Sequence, residues 1–273
     1  MPHPEPALSL IIDMKATPYF PPALAKALFE AGNYRKAECL VIYNDNDVSG
    51  SLLRRLDSTA KDYKQIKLLP MKAALSCSER FNEAVGQANG KILGFLGKGV
   101  VPATPNWMAD MVAHLCATGV GALGGRLLSK NGLVHSLGYV VTADGRLFSL
   151  FRGLYQQELS WFSWTHLCRT VQALDPRCIF TPKKTFDEAG GLNPDMAESG
   201  LIDYCLRISE KGLRQVVTPR INFVLAEECA APWETEELVT CEVLTQKWSG
   251  RLRPCHPYLA AGKNGWTLHY NRQ

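Results

Sequence analysis

The sequence predicts an α/β fold in which helices flank a mostly parallel central sheet. Short apolar runs alternate with amphipathic patterns through the first half of the chain, and this alternation is typical of a parallel sheet that is covered on both faces. The 273 residues are 46% hydrophobic and 21% charged, which is ordinary for a globular protein. The sequence contains no internal repeat and no low-complexity linker. We therefore expect a single domain over residues 1–273, with a smaller region of strands and loops in its second half.

The elements of the first half are predicted from apolar runs and from the residues that end helices. Strands are expected at 8–12, 39–43, 65–70, 91–96 and 120–128. Helices are expected at 23–32, 51–56, 78–90 and 106–119. Glycine ends three of these helices, and Ser78 is expected to cap the third because serine is favoured at helix N-termini.

The second half of the chain has a less regular pattern. Two paired strands are expected within 132–148, around a turn that contains Asp144 and Gly145. The aromatic stretch 151–170 is expected to be a loop. Beyond it the pattern predicts further elements: a helix at 201–212, a strand that ends at Pro219, and a helix at 235–250.

Charge and cysteine usage exclude several classes of protein. The 30 basic and 26 acidic residues give a net charge of +4, which is too small an excess to indicate nucleic-acid binding. The nine cysteines are scattered singly, so neither a zinc site nor a disulfide framework is expected. We expect buried, reduced thiols in a cytoplasmic protein. The N-terminus lacks the features of a signal peptide, and no apolar stretch approaches the ~20 residues of a transmembrane helix.

Six segments match the motifs of one enzyme family in their order and spacing. They are YNDNDVSGS at 43–51, SERFNEAVGQANG at 78–90, GVGALGGRLL at 119–128, FDEAGGLNPDM at 186–196, DYCLRISEKG at 203–212 and KWSGRLRPCHPYLA at 247–260. Together they resemble the family 2 glycosyltransferases, which have the GT-A fold, and particularly the bacterial members that build surface polysaccharides. The resemblance covers nearly the whole chain. It implies a nucleotide-binding half at 1–130 and an acceptor-side half with a C-terminal helix and tail at 131–273.

The resemblance also implies where a nucleotide would bind. It assigns nucleotide contacts to Asn44, Asp45 and Asp47, which follow the second strand, and to Arg80 on the third helix. Ligands of open α/β sheets bind at the carboxyl ends of the strands, where such a loop lies. A second interpretation remains open, in which the loop residues form a turn and Arg80 is a solvated charge on its helix.

The family holds a divalent cation with an Asp-x-Asp motif after its fourth strand. The corresponding residues here are Gly97, Lys98 and Gly99, so both carboxylates are replaced. Oxygen ligands are what Mg²⁺ and Mn²⁺ prefer, and we therefore expect no metal cofactor, with a nucleotide-diphosphate sugar as the donor. The ammonium group of Lys98 can supply positive charge to a diphosphate. Alternatively, residues 97–99 are a turn whose lysine is solvated.

The catalytic base of the family precedes its D-L-C-L-R motif. Alignment on Asp203 places Leu201 at the position of the base, and leucine cannot accept a proton. The nearest carboxylates are Glu198 and Asp203, which are therefore the candidate catalytic residues. Glu227 and Glu228 are further candidates of the same kind. Alternatively, Glu198 is a surface acid and Asp203 stabilises the N-terminus of its helix.

Two other features need the structure to interpret them. Asn82 either joins its helix to a loop or contacts the ligand. The aromatic residues within 161–164 either face a sugar or partner, or pack in the core. His135 and His256 fall in segments that match the framework of the family, and we expect them to be structural.

These matches and mismatches leave two functions open. The first is a glycosyltransferase-like protein of polysaccharide or glycoconjugate assembly that uses a nucleotide sugar. Its catalysis would be metal-independent or impaired, and transfer would proceed with inversion. The second is a non-catalytic scaffold that acts with a partner enzyme. A protein partner or a homo-oligomer fits both functions, and nucleic acid is not an expected partner.

Overall fold

The computed structural model describes most of the chain. The described residues are 7–14, 22–29, 34, 36–44, 50–72, 74–97, 99–141, 147–159, 161–225, 242–248, 250–251, 259–262 and 265–268. Within them the chain builds one ten-stranded sheet and two short hairpins, and helices cover both faces of the sheet.

The central sheet is parallel in one half and mixed in the other. The strands, in chain order, are β1 (Leu8–Asp13), β2 (Ala37–Tyr43), β3 (Ile66–Pro70), β4 (Ile92–Leu96), β5 (Val100–Pro102), β6 (Val120–Leu128), β7 (Val134–Ser136), β8 (Tyr139–Val141), β9 (Leu147–Ser149), β10 (Arg169–Val171), β11 (Cys178–Pro182), β12 (Arg214–Leu225), β13 (Leu259–Gly262) and β14 (Gly265–Leu268). Their order across the sheet is β10-β12-β6-β11-β4-β1-β2-β3, with β5 paired to β12 and β7 to β6. Strands β3, β2, β1 and β4 are parallel, whereas β11 is antiparallel to both of its neighbours. The predicted fold class is therefore confirmed.

The helices follow the predicted order with shorter bounds. They are α1 (Pro22–Phe29), α2 (Gly50–Asp62), α3 (Cys77–Gln87), α4 (Trp107–Leu115), α5 (Lys183–Glu188), α6 (Gly200–Glu210) and α7 (Glu242–Trp248). Part of the aromatic stretch that was predicted to be a loop is a 3-10 helix at Trp161–His166. The helix predicted at 235–250 is present as α7, and residues 235–241 and 249 lie outside the described residues.

Alternation along the strands sends side chains into two cores on opposite faces of the sheet. In β1, Leu10 and Ile12 enter one core and Ile11 enters the other, because successive side chains of a strand point to opposite faces. Helices α1, α2 and α4 cover the first face, and α3 and α6 cover the second, which we call the α3 face. The same alternation places Asp13 on the α3 face.

The N-cap of α3 is Ser76, so the prediction that Ser78 caps this helix was wrong. The Glu79 N–H donates to the Ser76 hydroxyl at 3.3 Å, and the Ser76 N–H donates to the Glu79 carboxylate at 2.8 Å. This reciprocal capping box requires serine and glutamate three positions apart, which Ser78 does not provide. Ser78 is instead buried, and its hydroxyl donates to the Ala197 carbonyl at 2.7 Å.

Strand β12 continues past Pro219, so the prediction that it ends there was wrong. The pairing of β12 with β6 shifts register between Thr218 and Asn222, which leaves residues 219–221 as a bulge. Proline has no N–H, and it is tolerated at a bulge because the bulged residue donates no ladder hydrogen bond. The strand can therefore resume its pairing at Asn222.

The described helices and cysteines test two of the simpler expectations. None of the helices in the described ranges is long and apolar enough to cross a membrane. None of the six described cysteines forms a disulfide bond, and three of them, Cys39, Cys178 and Cys205, are buried. Burial raises the pKa of these three thiols because it disfavours the thiolate. Cys116 and Cys168 are exposed, so the expectation of buried thiols holds for only part of this set.

Glu38 joins the first three strands near their amino ends. Its carboxylate accepts hydrogen bonds from the Ser9 hydroxyl on β1 at 2.6 Å and from the Asn89 N–H at 2.7 Å. It also forms an ion pair with Lys67 on β3 at 2.6 Å. Partial burial acts to raise the pKa of Glu38, but the bonds from Lys67, Ser9 and Asn89 outweigh it and lower the pKa to about 2.

The lowered pKa of Glu38 predicts a specific loss of stability in acid. The carboxylate stabilises the folded state fully above its ordinary pKa of 4.5, and this stabilisation is lost as the pH falls toward 2. We expect Glu38→Gln to lower the free energy of unfolding at pH 7 by about 1 kcal/mol, and to make little further difference at pH 2. Thermal unfolding across this pH range measures the difference in stability between the wild type and the variant, which we call the gap. Glu83→Gln, on the exposed surface of α3, is the control. A gap that is the same at both pH values would contradict the assignment.

Candidate functional site

The parallel strands end together at one edge of the sheet, which we call the carboxyl edge. Strand β1 ends at Asp13, β2 is followed by Asn44, and β4 is followed by Gly97. The antiparallel strand β11 begins at this edge, which brings residues 175–177 beside Gly97. Crevices at this edge are where open α/β sheets bind ligands, so this is the candidate site.

Arg80 is a buried charge at the carboxyl edge. Its side chain, on α3, is 0% exposed and forms an ion pair with Asp13 at the end of β1. A buried guanidinium needs such a partner because it has lost its hydration. The interpretation of Arg80 as a solvated charge was therefore wrong. Its assignment as a nucleotide contact stays a prediction, and the ion pair fixes its position next to β1.

Asn44 is 4% exposed at the point where β2 ends. Its neighbours Tyr43 and Met71 are joined by a backbone hydrogen bond of 2.7 Å, so β2 and β3 are still paired at this level. Asp45 and Asp47, which were predicted to bind the nucleotide with Asn44, lie outside the described residues, and so does Lys98. The structure therefore places Asn44 and Arg80 at one edge of the sheet.

Gly97 lies directly against Arg177. The Gly97 N–H donates to the Arg177 carbonyl at 2.8 Å. A Cβ atom placed on Gly97 would lie 2.6 Å from Arg177 Cγ, 2.8 Å from Cβ and 2.9 Å from Cα. Carbon atoms that are not bonded to each other do not approach this closely in packed proteins. Position 97 thus has no room for a side chain, because Arg177 fills the space that its Cβ would need.

Arg177 belongs to a buried polar network that sequence analysis missed. Its Nε and Nη2 atoms donate to the two carboxylate oxygens of Asp175 at 3.0 and 2.9 Å, which is the two-pronged geometry that suits a guanidinium. The Tyr139 hydroxyl donates to Asp175 Oδ2 at 3.1 Å. Burial acts to raise the pKa of Asp175, but the charge and hydrogen bonds of Arg177 outweigh it and lower the pKa to about 2. The pair is therefore ionised at neutral pH.

His135 borders this network and is neutral at neutral pH. Its side chain is buried, and burial, followed by the positive charge of Arg177, lowers its pKa to about 4. The Asp175 carboxylate acts in the opposite direction but does not outweigh these effects. A neutral imidazole here fits the structural role that the sequence predicted for His135.

The residues at the end of β4 do not fit a divalent cation. The tripeptide Gly97-Lys98-Gly99 offers no side-chain oxygen. The nearest described carboxylates at this edge, Asp13 and Asp175, are held in ion pairs with arginines. In the described part of the chain, no three His, Cys, Asp or Glu residues are grouped so as to hold a metal ion. Mg²⁺ and Mn²⁺ require several oxygen ligands, which this arrangement does not present.

Glu198 is an exposed acid in the second half of the chain. It lies in a 3-10 segment at Pro194–Ser199, immediately before α6. The preceding residue, Ala197, has φ 44° and ψ −112°, and its carbonyl accepts the hydrogen bond from Ser78. This bond attaches the segment to the first turn of α3, two residues from Arg80. Glu198 thus lies on a segment that is fixed to the same edge of the sheet, and its role as base stays a prediction.

Asp203 is placed where it serves stability. Its side chain is 0% exposed and forms ion pairs at 2.7 Å with Arg207 and with Lys247, and the Trp248 indole N–H donates to it at 2.9 Å. These contacts join α6 to α7. The geometry favours a structural role over the catalytic role that we predicted for Asp203, because the carboxylate is buried and already holds three donors. Leu201, at the aligned position of the base, is also buried.

The structure decides the two interpretations of Asn82. Its side-chain amide donates to the Leu192 carbonyl at 2.8 Å and accepts from the Leu192 N–H at 2.9 Å, so it joins α3 to the loop before α6. Among the aromatic residues, Trp164 is partly buried against the core of the α3 face. The side chains of Trp161 and Phe162, together with His256, Glu227 and Glu228, lie outside the described residues.

The Asp175–Arg177 pair had a weak signal in the sequence. The segment Asp175-Pro176-Arg177 places two opposite charges directly before an apolar strand. Charged residues at the start of a buried strand need partners, and two positions in the chain is a spacing at which these two side chains can pair with each other. What the sequence does not contain is the contact with Gly97, which depends on β11 lying beside β4.

Solved structures with the same architecture identify the fold. A mannosyltransferase, PcManGT from Pyrobaculum calidifontis in complex with GDP-Man and Mn²⁺, superposes with a TM-score of 0.59 and 14% identity, over 84% of this chain and 59% of that one. GalNAc-T7, solved with UDP, GalNAc and Mn²⁺, superposes with a TM-score of 0.62 and 13% identity, over 81% of this chain and 44% of that one. The chain has a GT-A glycosyltransferase fold. Identities this low establish the fold alone.

Sequence relatives are distant and much longer. No protein-family model matches the chain. It is 26% identical over 183 residues, or 66% of its length, to the uncharacterised protein y4gI of Sinorhizobium fredii. It is also 26% identical over 227 residues, or 82% of its length, to the O-antigen biosynthesis protein RfbC of Myxococcus xanthus. The chain spans about a fifth of the length of these curated relatives.

The packing at the end of β4 predicts that alanine lowers stability at position 97 but not at position 86. Gly97→Ala should lower the free energy of unfolding by about 1–3 kcal/mol, because the new methyl group overlaps the backbone and stem of Arg177. Gly86→Ala in α3 is the control: no atom lies within 4 Å of the added carbon, and alanine favours the helix by about 0.5–1 kcal/mol. Urea denaturation measures both. Equal stability of the two variants would contradict the contact.

The contacts of Asp203 predict a large effect on stability. Asp203→Asn should lower the free energy of unfolding by about 2 kcal/mol, because it removes the buried carboxylate with which the partly buried Arg207 and Lys247 pair. Asp57→Asn, on the exposed surface of α2, should stay within about 0.5 kcal/mol of the wild type. Urea denaturation again distinguishes them. An Asp203→Asn protein of wild-type stability would argue against a structural role and return Asp203 to the candidate bases.

Proposed function

We propose that the chain is a glycosyltransferase-type protein that binds a nucleoside-diphosphate sugar at the carboxyl edge of its sheet without a divalent cation. The observation that supports it best is the pairing of a GT-A fold with an end of β4 at which Arg177 packs against Gly97 and the sequence has no carboxylate. The chain would act as one domain, with the nucleotide on residues 1–130 and the acceptor on the half that follows. Asn44, the loop after it and Arg80 would contact the nucleotide.

A lysine can replace a metal at this position for an electrostatic reason. When the bond between sugar and phosphate breaks, negative charge grows on the leaving diphosphate, and a fixed positive charge nearby stabilises it. Lys98 stands between Gly97 and Gly99, whose lack of side chains lets a phosphate approach the backbone. Gly99 has φ 70°, a left-handed conformation that favours glycine.

Transfer would then proceed with inversion at the anomeric carbon. The acceptor hydroxyl attacks that carbon from the side opposite the diphosphate, and the nucleoside diphosphate leaves with the bonding electrons. A base must remove the proton from the hydroxyl as it attacks. Glu198 is the proposed base, because it is an exposed carboxylate and directly follows Ala197, whose carbonyl accepts the hydrogen bond from Ser78 beside Arg80.

The relative RfbC suggests the biological setting. Its name records O-antigen biosynthesis, and the chain matches it over most of its own length. We therefore propose a growing polysaccharide or a related glycoconjugate as the acceptor. The nucleotide and sugars bound in the two solved neighbours are compatible with a nucleotide-sugar donor here.

Leu201 supports a second candidate function. It is buried at the aligned position of the base, so the residue that performs proton transfer in the family has become part of the core. A chain that bound a nucleotide sugar and did not turn it over would act as a binding scaffold with a partner enzyme. Nucleotide affinity with no transfer by the wild type and no change on Glu198→Gln would favour the scaffold.

Calorimetric titration with nucleotides tests the proposal directly. We expect one of UDP, GDP and dTDP to bind in the presence of EDTA, with an affinity that changes little when Mn²⁺ is added. An increase of tenfold or more with Mn²⁺ would contradict metal-independent binding. The absence of binding to all three would contradict the nucleotide site.

Lys98→Ala tests the charge at the end of β4. The variant should lower the affinity for the nucleoside diphosphate about tenfold, which is the effect expected for the loss of one charge-assisted contact. Lys61→Ala, on the exposed end of α2, removes the same charge elsewhere and should leave affinity unchanged. Equal affinities of the two variants would contradict a phosphate contact by Lys98.

A further inference from the structure

We propose that Arg177 is a further cationic contact for the diphosphate, and that it supplies positive charge which a divalent metal would otherwise supply. This inference rests on the proposed function and adds a residue that the sequence motifs do not assign. Arg177 lies at the carboxyl edge, immediately before β11, and β11 is the strand that pairs with β4. Its main chain and side chain lie against Gly97.

The contact between Gly97 and Arg177 leaves no room for a metal-binding side chain at position 97. The three atoms nearest to a Cβ on Gly97 all belong to Arg177, and all lie within 2.9 Å. Two of them, Cα and Cβ, cannot swing away by rotation of the side chain. An aspartate at position 97 would therefore need a different backbone at 177. With the backbone as it stands, position 97 cannot carry a carboxylate, and the residue packed against it is an arginine.

Asp175 and Tyr139 hold the guanidinium in one orientation. The two hydrogen bonds from Arg177 to Asp175 use the Nε–Nη2 edge of the guanidinium. The Arg177 N–H also donates to Asp175 Oδ1 at 3.0 Å, so the same carboxylate fixes both the main chain and the side chain. Tyr139 fixes the carboxylate in turn. An arginine fixed in this way loses little conformational freedom when it binds an anion.

A charge count supports the substitution. A divalent cation held by two carboxylates contributes two positive and two negative charges, which cancel. Arg177 and Asp175 contribute one positive and one negative charge, which also cancel, so the pair can present a cation to the diphosphate at the same net charge. Neighbouring His135 adds no charge because it is neutral at neutral pH.

The test compares nucleoside diphosphates with the matching monophosphates. Calorimetry in EDTA with UDP and UMP, GDP and GMP, and dTDP and dTMP gives the ratio of affinities for the base that binds. A contact to the outer phosphate affects the diphosphate only. Arg177→Gln should therefore lower the ratio about tenfold while the monophosphate affinity stays within about twofold. Arg177→Lys should restore part of the ratio.

Two further variants keep the result interpretable. Arg214→Gln removes an exposed arginine at the amino end of β12, on the opposite edge of the sheet, and should leave the ratio unchanged. If Arg177→Gln does not fold, the double variant Asp175→Asn/Arg177→Gln contains no lone buried charge and carries the same test. It should also lower the ratio about tenfold.

The outcomes separate this inference from the function on which it rests. A folded Arg177→Gln or double variant that keeps the wild-type ratio overturns the role of Arg177 and leaves nucleotide binding intact. Equal affinity of the wild type for mono- and diphosphates would also overturn the role of Arg177 and leave nucleotide binding intact. A wild type that binds no nucleotide overturns both proposals.

Discussion

The packing of Gly97 against Arg177 constrains the candidate site more than any other contact. It joins the last residue of a parallel strand to the residue before an antiparallel one, at the edge where open sheets bind ligands. Because no side-chain carbon fits at position 97, the end of β4 cannot present a carboxylate there. The charged groups that the structure describes at this edge include the ion pairs Asp13–Arg80 and Asp175–Arg177. The rest of the fold, with parallel strands on one side and mixed strands on the other, serves to bring these two chain segments together.

Two aspartates at this edge hold arginines in place. Asp13 pairs with Arg80 and Asp175 pairs with Arg177, so the carboxylates closest to the end of β4 are already engaged. Removing either partner would leave a charge in a poorly hydrated environment, which is strongly unfavourable. The acidic residues here thus maintain the positions of the cations. Glu198 differs from them in being exposed.

Local sequence patterns were sufficient to predict the fold class, because apolar runs and helix ends report on secondary structure. They were insufficient where a contact between distant segments decided the outcome. The true cap of α3 was available locally, in the spacing of Ser76 and Glu79, and was overlooked in favour of Ser78. The bulge at Pro219 could not be predicted from the local sequence, because it depends on how β12 pairs with β6. The roles of Asp203 and Arg177 likewise arise from contacts between elements far apart in the chain.

The central claim is that protein cations, and no metal, meet the diphosphate at the end of β4. A crystal of the protein grown with Mn²⁺ and the nucleoside diphosphate that binds most tightly, measured at the manganese absorption edge, tests it most directly. The account predicts density for the diphosphate over residues 97–99, within hydrogen-bonding distance of Lys98 and Arg177, and no anomalous peak there. A manganese peak that bridges the phosphates at this position would contradict it.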